Sequence, residues 1–131
     1  MDQLDNVRLL KMAGILSDRA RNNQPISYSD LYLQLGLNTH NAADRTTGSH
    51  LLAAVNDVSY QEKGVFLGAF VFGAAINQPY EGFWEYAKEK GKLPAHTSPE
   101  KKYDFWINHM ADVHKAYGEN QHKFSEKHIG T

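Results

Sequence analysis

Cysteine is absent from the 131 residues, and with it go disulfides, thiolate nucleophiles, sulfur-held zinc and iron–sulfur clusters. Also lacking is an excess of either charge: 14 Lys and Arg stand against 15 Asp and Glu, a net charge of −1. A protein devoted to nucleic acid usually carries a basic excess, because neutralised phosphates supply much of its affinity. DNA binding by this chain would therefore have to come from the local placement of a few cations. No apolar run reaches the roughly 18 residues of a membrane span. The opening stretch MDQLDNVRLL also has none of the zones of a signal peptide. The expectation is a protein with no membrane partner, located in the cytoplasm. There is no internal repeat, low-complexity tract or linker.

What the chain does have is apolar and aromatic mass. Hydrophobic residues make up 41%, with 2 Trp, 7 Tyr and 6 Phe, enough to pack one core and to argue against disorder. Residues 2–21 read as a helix with Leu9, Ala13, Leu16 and Ala20 on one face and Met12 beside them. Leu4, Val7 and Ile15 fall on another side, so this helix is either deeply buried or covered by a partner. After the breaker Asn22–Pro25, Ser27 caps a second helix, with Asp30 three residues on and Gly36 at its end. A third helix is expected over about 45–60, closed by Gly64. The run Val65–Phe72 is short, apolar and bounded by glycines, which reads as a strand at 66–72. The rival reading makes 65–76 a buried helix. A turn at Asn77–Tyr80 precedes a short helix from Gly82 to Lys90. Ser98 and Pro99 open the last helix, whose stripe is Tyr103, Trp106, Ile107, Met110, Val113 and Tyr117.

Two short helices, a strand and a closing helix are the order of a winged-helix domain. The expected fold is α+β and mostly helical: a winged-helix-like helix-turn-helix core with a short strand and an added C-terminal helix. One such domain is placed at 1–117, with a polar, flexible tail at 118–131.

The stretch 25–93 resembles the winged-helix DNA-binding domain of the alkylguanine-DNA alkyltransferases and their alkyltransferase-like relatives. The resemblance rests on Ile26-Ser27-Tyr28-Ser29-Asp30-Leu31 and on Ala43-Asp44-Arg45-Thr46-Thr47-Gly48. It continues through the run Phe66–Val71 to Tyr80-Glu81-Gly82-Phe83-Trp84 and Gly91. It covers about half the chain and is one of order and spacing. Where the family carries Pro-Cys-His-Arg this chain has Leu67-Gly68-Ala69-Phe70, so suicide alkyl transfer is excluded. The resemblance implies the fold and a DNA-facing use of the third helix.

On a helix turning about 100° per residue, taking Leu51, Val55 and Val58 as the buried face puts Thr46, Ser49, Ala53, Asn56 and Tyr60 opposite. Arg45 and His50 flank them. These seven residues are the candidate nucleic-acid contacts, with Arg45 suited to a phosphate or a guanine edge and Asp57 opposing. The ordinary alternative is a solvated helix face. Tyr80, Phe83 and Trp84 could line a pocket or stack on a base, or simply form core under a turn. Lys88, Lys90, Lys92, Lys101 and Lys102 form the most basic stretch; interleaved glutamates suit a salt-bridged surface, and the alternative is a phosphate-contacting patch. His109 and His114, five residues apart, point about 140° from each other on a helix and cannot chelate together. His114 fits a core histidine, and His122 and His128 fall in the tail.

No nucleophile–base pair, paired carboxylates or phosphate loop stands at a recognisable spacing. The reading from sequence is thus a non-enzymatic, cofactor-free and metal-free protein that binds DNA or associates with it. The alternative is a protein–protein adaptor or homodimer on the same scaffold. The expected outcome of elemental analysis is no stoichiometric transition metal, and chelation should leave the far-UV spectrum and the melting temperature unchanged.

Overall fold

Helix ends come first, because local chemistry fixes them. In the computed structural model, which describes residues 3–73 and 78–130 and side chains no further than Gly118, α1 runs Gln3–Arg21. The strand β1 is Ile26–Ser27, and α2 is Tyr28–Gln34. The Ser27 hydroxyl accepts the Asp30 N–H at 3.0 Å, and Gly36 follows the helix with φ +73°, the left-handed conformation only glycine adopts cheaply. Helix α3 spans Ala42–Lys63, longer at both ends than the sequence suggests. Asn41 is its N-cap, accepting from the Asp44 N–H, and Gly64 ends it at φ 71°. Helix α4 is Gly82–Glu89 and α5 is Pro99–Gly130. The backbone of α5 therefore remains helical past Tyr117. Over the described residues the chain is mostly helical, as expected, and its extended segments form one small two-stranded sheet.

The expected strand at 66–72 is mostly not a strand. Leu67–Phe70 forms a 3-10 turn, and only Val71–Phe72 (β2) is extended. The reason lies in where the backbone donors go. Three successive N–H groups are taken by side chains: Phe66 by His109 Nε2 at 2.7 Å, Leu67 by Ser59 Oγ at 3.0 Å and Gly68 by Asn56 Oδ1 at 2.7 Å. A strand would have needed a neighbouring strand for the same groups. Strands β1 and β2 pair in parallel, Ile26 with Val71 and Ser27 with Phe72. On the other edge of β2 the chain comes back antiparallel: Phe72 bridges Pro79, Gly73 N–H donates to Gln78 O, and Tyr80 N–H donates to Val71 O. The start of the expected turn, Asn77, lies outside the described residues, as do 74–76 of the rival helix.

The core is one cluster. Helix α1 packs on α3, α5 and the 3-10 turn through Met12, Leu16 and Ala20. Phe66, Leu67, Ala69 and Phe70 fill the centre, and Phe83, Ala87, Trp106 and Val113 close it from α4 and α5. Trp106 donates its indole N–H to Ala69 O at 2.8 Å. Two expectations about faces are corrected. Val58 is 48% exposed, whereas Asn56 and Ser59 are buried, because the seam of α3 is rotated toward the amides these two residues serve. On α5, Tyr103 and Ile107 stay exposed at 44% and 41%, outside the buried face of Trp106 and Val113.

Helix α2 crosses α3 at Gly48. The Tyr32 ring is fully buried there, and a Cβ on residue 48 would sit 1.9 Å from its hydroxyl oxygen and 2.0 Å from Cζ. Replacing Gly48 by Ala should therefore destabilise the fold by about 1–3 kcal/mol through overpacking. Gly14→Ala, mid-helix and in open space, should instead stabilise by about 0.5–1 kcal/mol. Urea melts of the two variants check the contrast.

The His109 ring lies among Phe66, Phe83 and Phe105. Burial is the main reason its pKa falls from 6.5 to about 4; Asp112 opposes the shift and Lys92 adds to it. Since Nε2 accepts the Phe66 N–H, the folded state wants the ring neutral. Above pH 6.5 both folded and unfolded chains leave it so, and its contribution is complete. As pH falls, the unfolded chain takes the proton first, and the contribution is gone once pH has passed down through about 4. Stability from urea melts between pH 7.5 and 4 should fall more in the wild type than in His109→Gln.

Candidate functional site

The capped start of α2, the first half of α3 and the start of α4 face one another across an open cleft of about 930 Å³. Each wall follows from helical spacing. On α3 the lining residues are Ala42, Arg45, Thr46, Ser49, His50 and Ala53, a continuous i, i+3, i+4 stripe. On α4, Gly82, Glu85 and Tyr86 form the matching face, with Glu81 just before it. Tyr28 and Ser29 come from α2, and Gly73 and Tyr80 from the returning chain.

Five of the seven expected contacts thus share one wall: Arg45, Thr46, Ser49, His50 and Ala53. Asn56 and Tyr60, which continue the same stripe, do not. Asn56 is fully buried, with Oδ1 on Gly68 N–H and Nδ2 donating to Tyr80 Oη at 2.9 Å. Tyr60 is partly covered by the Phe66 ring at 5.2 Å and the Lys92 ammonium at 5.4 Å. The 3-10 turn packs over that part of α3, which is why the exposed stripe stops at Ala53. Of the expected pocket residues, Tyr80 lines the cleft. Phe83 is fully buried core, and Trp84 packs edge-on to it with Lys102 over its ring.

The cleft is rich in tyrosine, a feature the sequence reading passed over. The Tyr32 hydroxyl donates to Arg45 O at 3.2 Å and receives the Tyr28 proton. The Tyr28 and Tyr80 rings lie 6.4 Å apart and nearly parallel. Tyr86 donates to the Asp57 carboxylate. Burial, first of all, pushes Tyr32, Tyr80 and Tyr86 well above the usual tyrosine range; Tyr28 adds to this at Tyr32 and the Asp57 charge at Tyr86. These groups are therefore neutral hydrogen-bonding hydroxyls at physiological pH. Gly82 and Glu85 on α4 could have been found from spacing, since they lie away from the apolar pair Phe83 and Ala87; Tyr86, buried with that pair, could not.

Charge is divided across the cleft. Arg45 and His50 stand on the α3 side, and Glu81 and Glu85 on the α4 side. Arg45 is exposed, with one guanidinium N–H given to Thr39 O at 3.0 Å. The Thr46 hydroxyl bonds back to Ala42 O. Asp57 is already engaged by Tyr86 and by Lys90 at 3.4 Å.

His109 Nε2 accepts the Phe66 N–H, which occupies the ring's lone pair, and His114 Nδ1 donates to Ala20 O at 2.7 Å. Among the described residues no group of His, Asp and Glu is gathered as a metal site. The side chains of His122 and His128 lie outside those described. No helix among the described residues is long and apolar enough to cross a membrane. No protein family, curated protein or solved structure matches the chain, so its function is to be argued from the chemistry of this cleft.

Proposed function

We propose that the protein works by binding rather than by turnover, as a DNA-associated module that presents the first half of α3 and the cleft beside it. The observation that carries the reading is the stripe Arg45, Thr46, Ser49 and His50. These are four exposed hydrogen-bonding side chains on one face of a helix, whose other face is packed into the core through Leu51, Leu52 and Val55. A rigid helix with a short polar face is what base-edge and phosphate contacts require. The resemblance of 25–93 to the alkyltransferase DNA-binding domain, with its winged-helix use of the same helix, points the same way. The tyrosines support binding over catalysis, since their raised pKa values make them poor proton shuttles at neutral pH. The repulsion expected from Asp57 is reduced by its pairing with Lys90. Glu81 and Glu85 are then the charges that oppose a phosphate backbone.

One observation favours the adaptor or homodimer reading instead. Leu4, Val7 and Leu10 on α1 are 58%, 58% and 74% exposed, and Leu33 on α2 is 75% exposed, apolar side chains that a protein partner or second copy could cover.

The experiment is a salt-dependent titration of duplex DNA. Binding should be modest, steepest at low salt, and weakened by Arg45→Ala with the salt slope reduced by about one. Glu81→Gln should strengthen it by removing a repelled charge at the rim. Absence of binding at low salt, or indifference to both substitutions, would hand the function to the adaptor reading.

A further inference from the structure

A second, smaller concavity of about 310 Å³ lies between the segment after α4 and the start of α5. Its cationic lining residues are Lys92 and Lys101; His96 adds an imidazole, Thr97 and Ser98 add hydroxyls, and no carboxylate is among the described residues that line it. That is unusual in a chain whose net charge is −1. Of the other lysines of this region, Lys88 is matched to Glu85 at 3.5 Å and Lys90 to Asp57 at 3.4 Å, while Lys102 lies over the Trp84 ring. Among the described residues, neither Lys92 nor Lys101 stands within ion-pair distance of a carboxylate. Lys92 lies over the Tyr60 ring at 5.4 Å, which restrains the long side chain while leaving its donors available. Leu93 and Phe105 supply an apolar floor.

We infer that this concavity is a binding site for a phosphate ester, with Lys92 and Lys101 as the cationic clamp and His96 and Ser98 as hydrogen-bonding groups, the Thr97 hydroxyl being given to Pro94 O at 2.7 Å. Unmatched like charges gathered around one hollow repel each other, and a bound dianion removes that repulsion while gaining charge-assisted hydrogen bonds. The start of α5 adds little, because the Ser98 side chain already accepts the Lys101 N–H at 3.3 Å. The site rests on side chains. Its volume is near the low end for ligand pockets, roughly 300 Å³, which suits a phosphorylated sugar or nucleotide better than a bare ion. The inference does not depend on the α3 reading, since the two clefts share no lining residue.

The test is amide NMR of the full chain titrated with inorganic phosphate, adenosine monophosphate and a short oligothymidylate, each against sodium chloride at matched ionic strength. Saturable shifts are expected at Lys92, Thr97, Ser98 and Lys101. The double variant Lys92→Gln/Lys101→Gln should bind about tenfold or more weakly, as for lost charge-assisted bonds. Lys63→Gln, whose ammonium sits over Tyr117, should bind as the wild type does. Both site lysines are exposed, so the double variant should keep its spectral dispersion. Tightest binding by the monophosphate, the oligonucleotide or free phosphate would name the source, and each upholds the site. Shifts that chloride reproduces, or that survive in the double variant, would overturn it.

Discussion

Three consecutive backbone N–H groups, those of Phe66, Leu67 and Gly68, hold the structure together because each is accepted by a helix side chain, two from the preceding α3 and one from the distant α5. A buried amide without a partner costs about 1–3 kcal/mol, so His109, Ser59 and Asn56 satisfy what a β-ladder would otherwise have supplied. The consequence is architectural. Ser59 and Asn56 tie the 3-10 turn to α3, while His109 ties it to α5, with Trp106 gripping the Ala69 carbonyl from the same helix. Ser59 also donates to Val65 O, so one hydroxyl serves both ends of the connection after α3. The small sheet needs only two residues per strand because the segment beside it is anchored by other means.

The same network reaches the surface. Asn56 accepts from Gly68 in the core and donates to Tyr80, a wall of the large cleft. Gly68 has no room for a Cβ, which would stand 2.7 Å from Asn56 Oδ1. The cleft is thus backed by a polar contact with no slack. Its chemistry differs from that of the smaller concavity. The large cleft sets cations on one side against carboxylates on the other around neutral hydroxyls, whereas the small one is cationic over an apolar floor. On the readings proposed, the first selects by shape and hydrogen-bonding pattern, and the second by charge.

Much of the chain's punctuation was legible from residues alone. Ser27 as a cap, Gly36, Gly64 and Gly91 at helix ends, and Ser98–Pro99 at the start of α5 are local effects, decided within a few residues of backbone. Most of the α3 stripe was also legible, because helical spacing carries it. What failed was non-local. The run 66–72 has strand composition, but Asn56, Ser59 and His109 are up to 43 residues away along the chain. Nothing in the run announces that they will take its donors. Asn56 looked like a surface residue for the same reason: its partners are a glycine amide and a tyrosine brought in by the fold. The exposure of Tyr103 and Ile107 was hidden likewise, since a clean apolar stripe shows which face could be buried and not how wide the neighbouring surface is.

Tyr32 sets a dimension. Its ring stands between α2 and α3 against Gly48, and its hydroxyl touches the carbonyl of Arg45. Tyr28, one turn earlier on α2, and Arg45 are both on the walls of the large cleft. The opening between these walls is therefore gauged by one aromatic spacer on a residue with no side chain. A bulkier residue at 48 or a smaller one at 32 would rescale the mouth of the cleft without altering any group that lines it. On the proposed binding reading, selectivity for the size of what enters is thus set in part by a buried pair that lines no wall of the cleft.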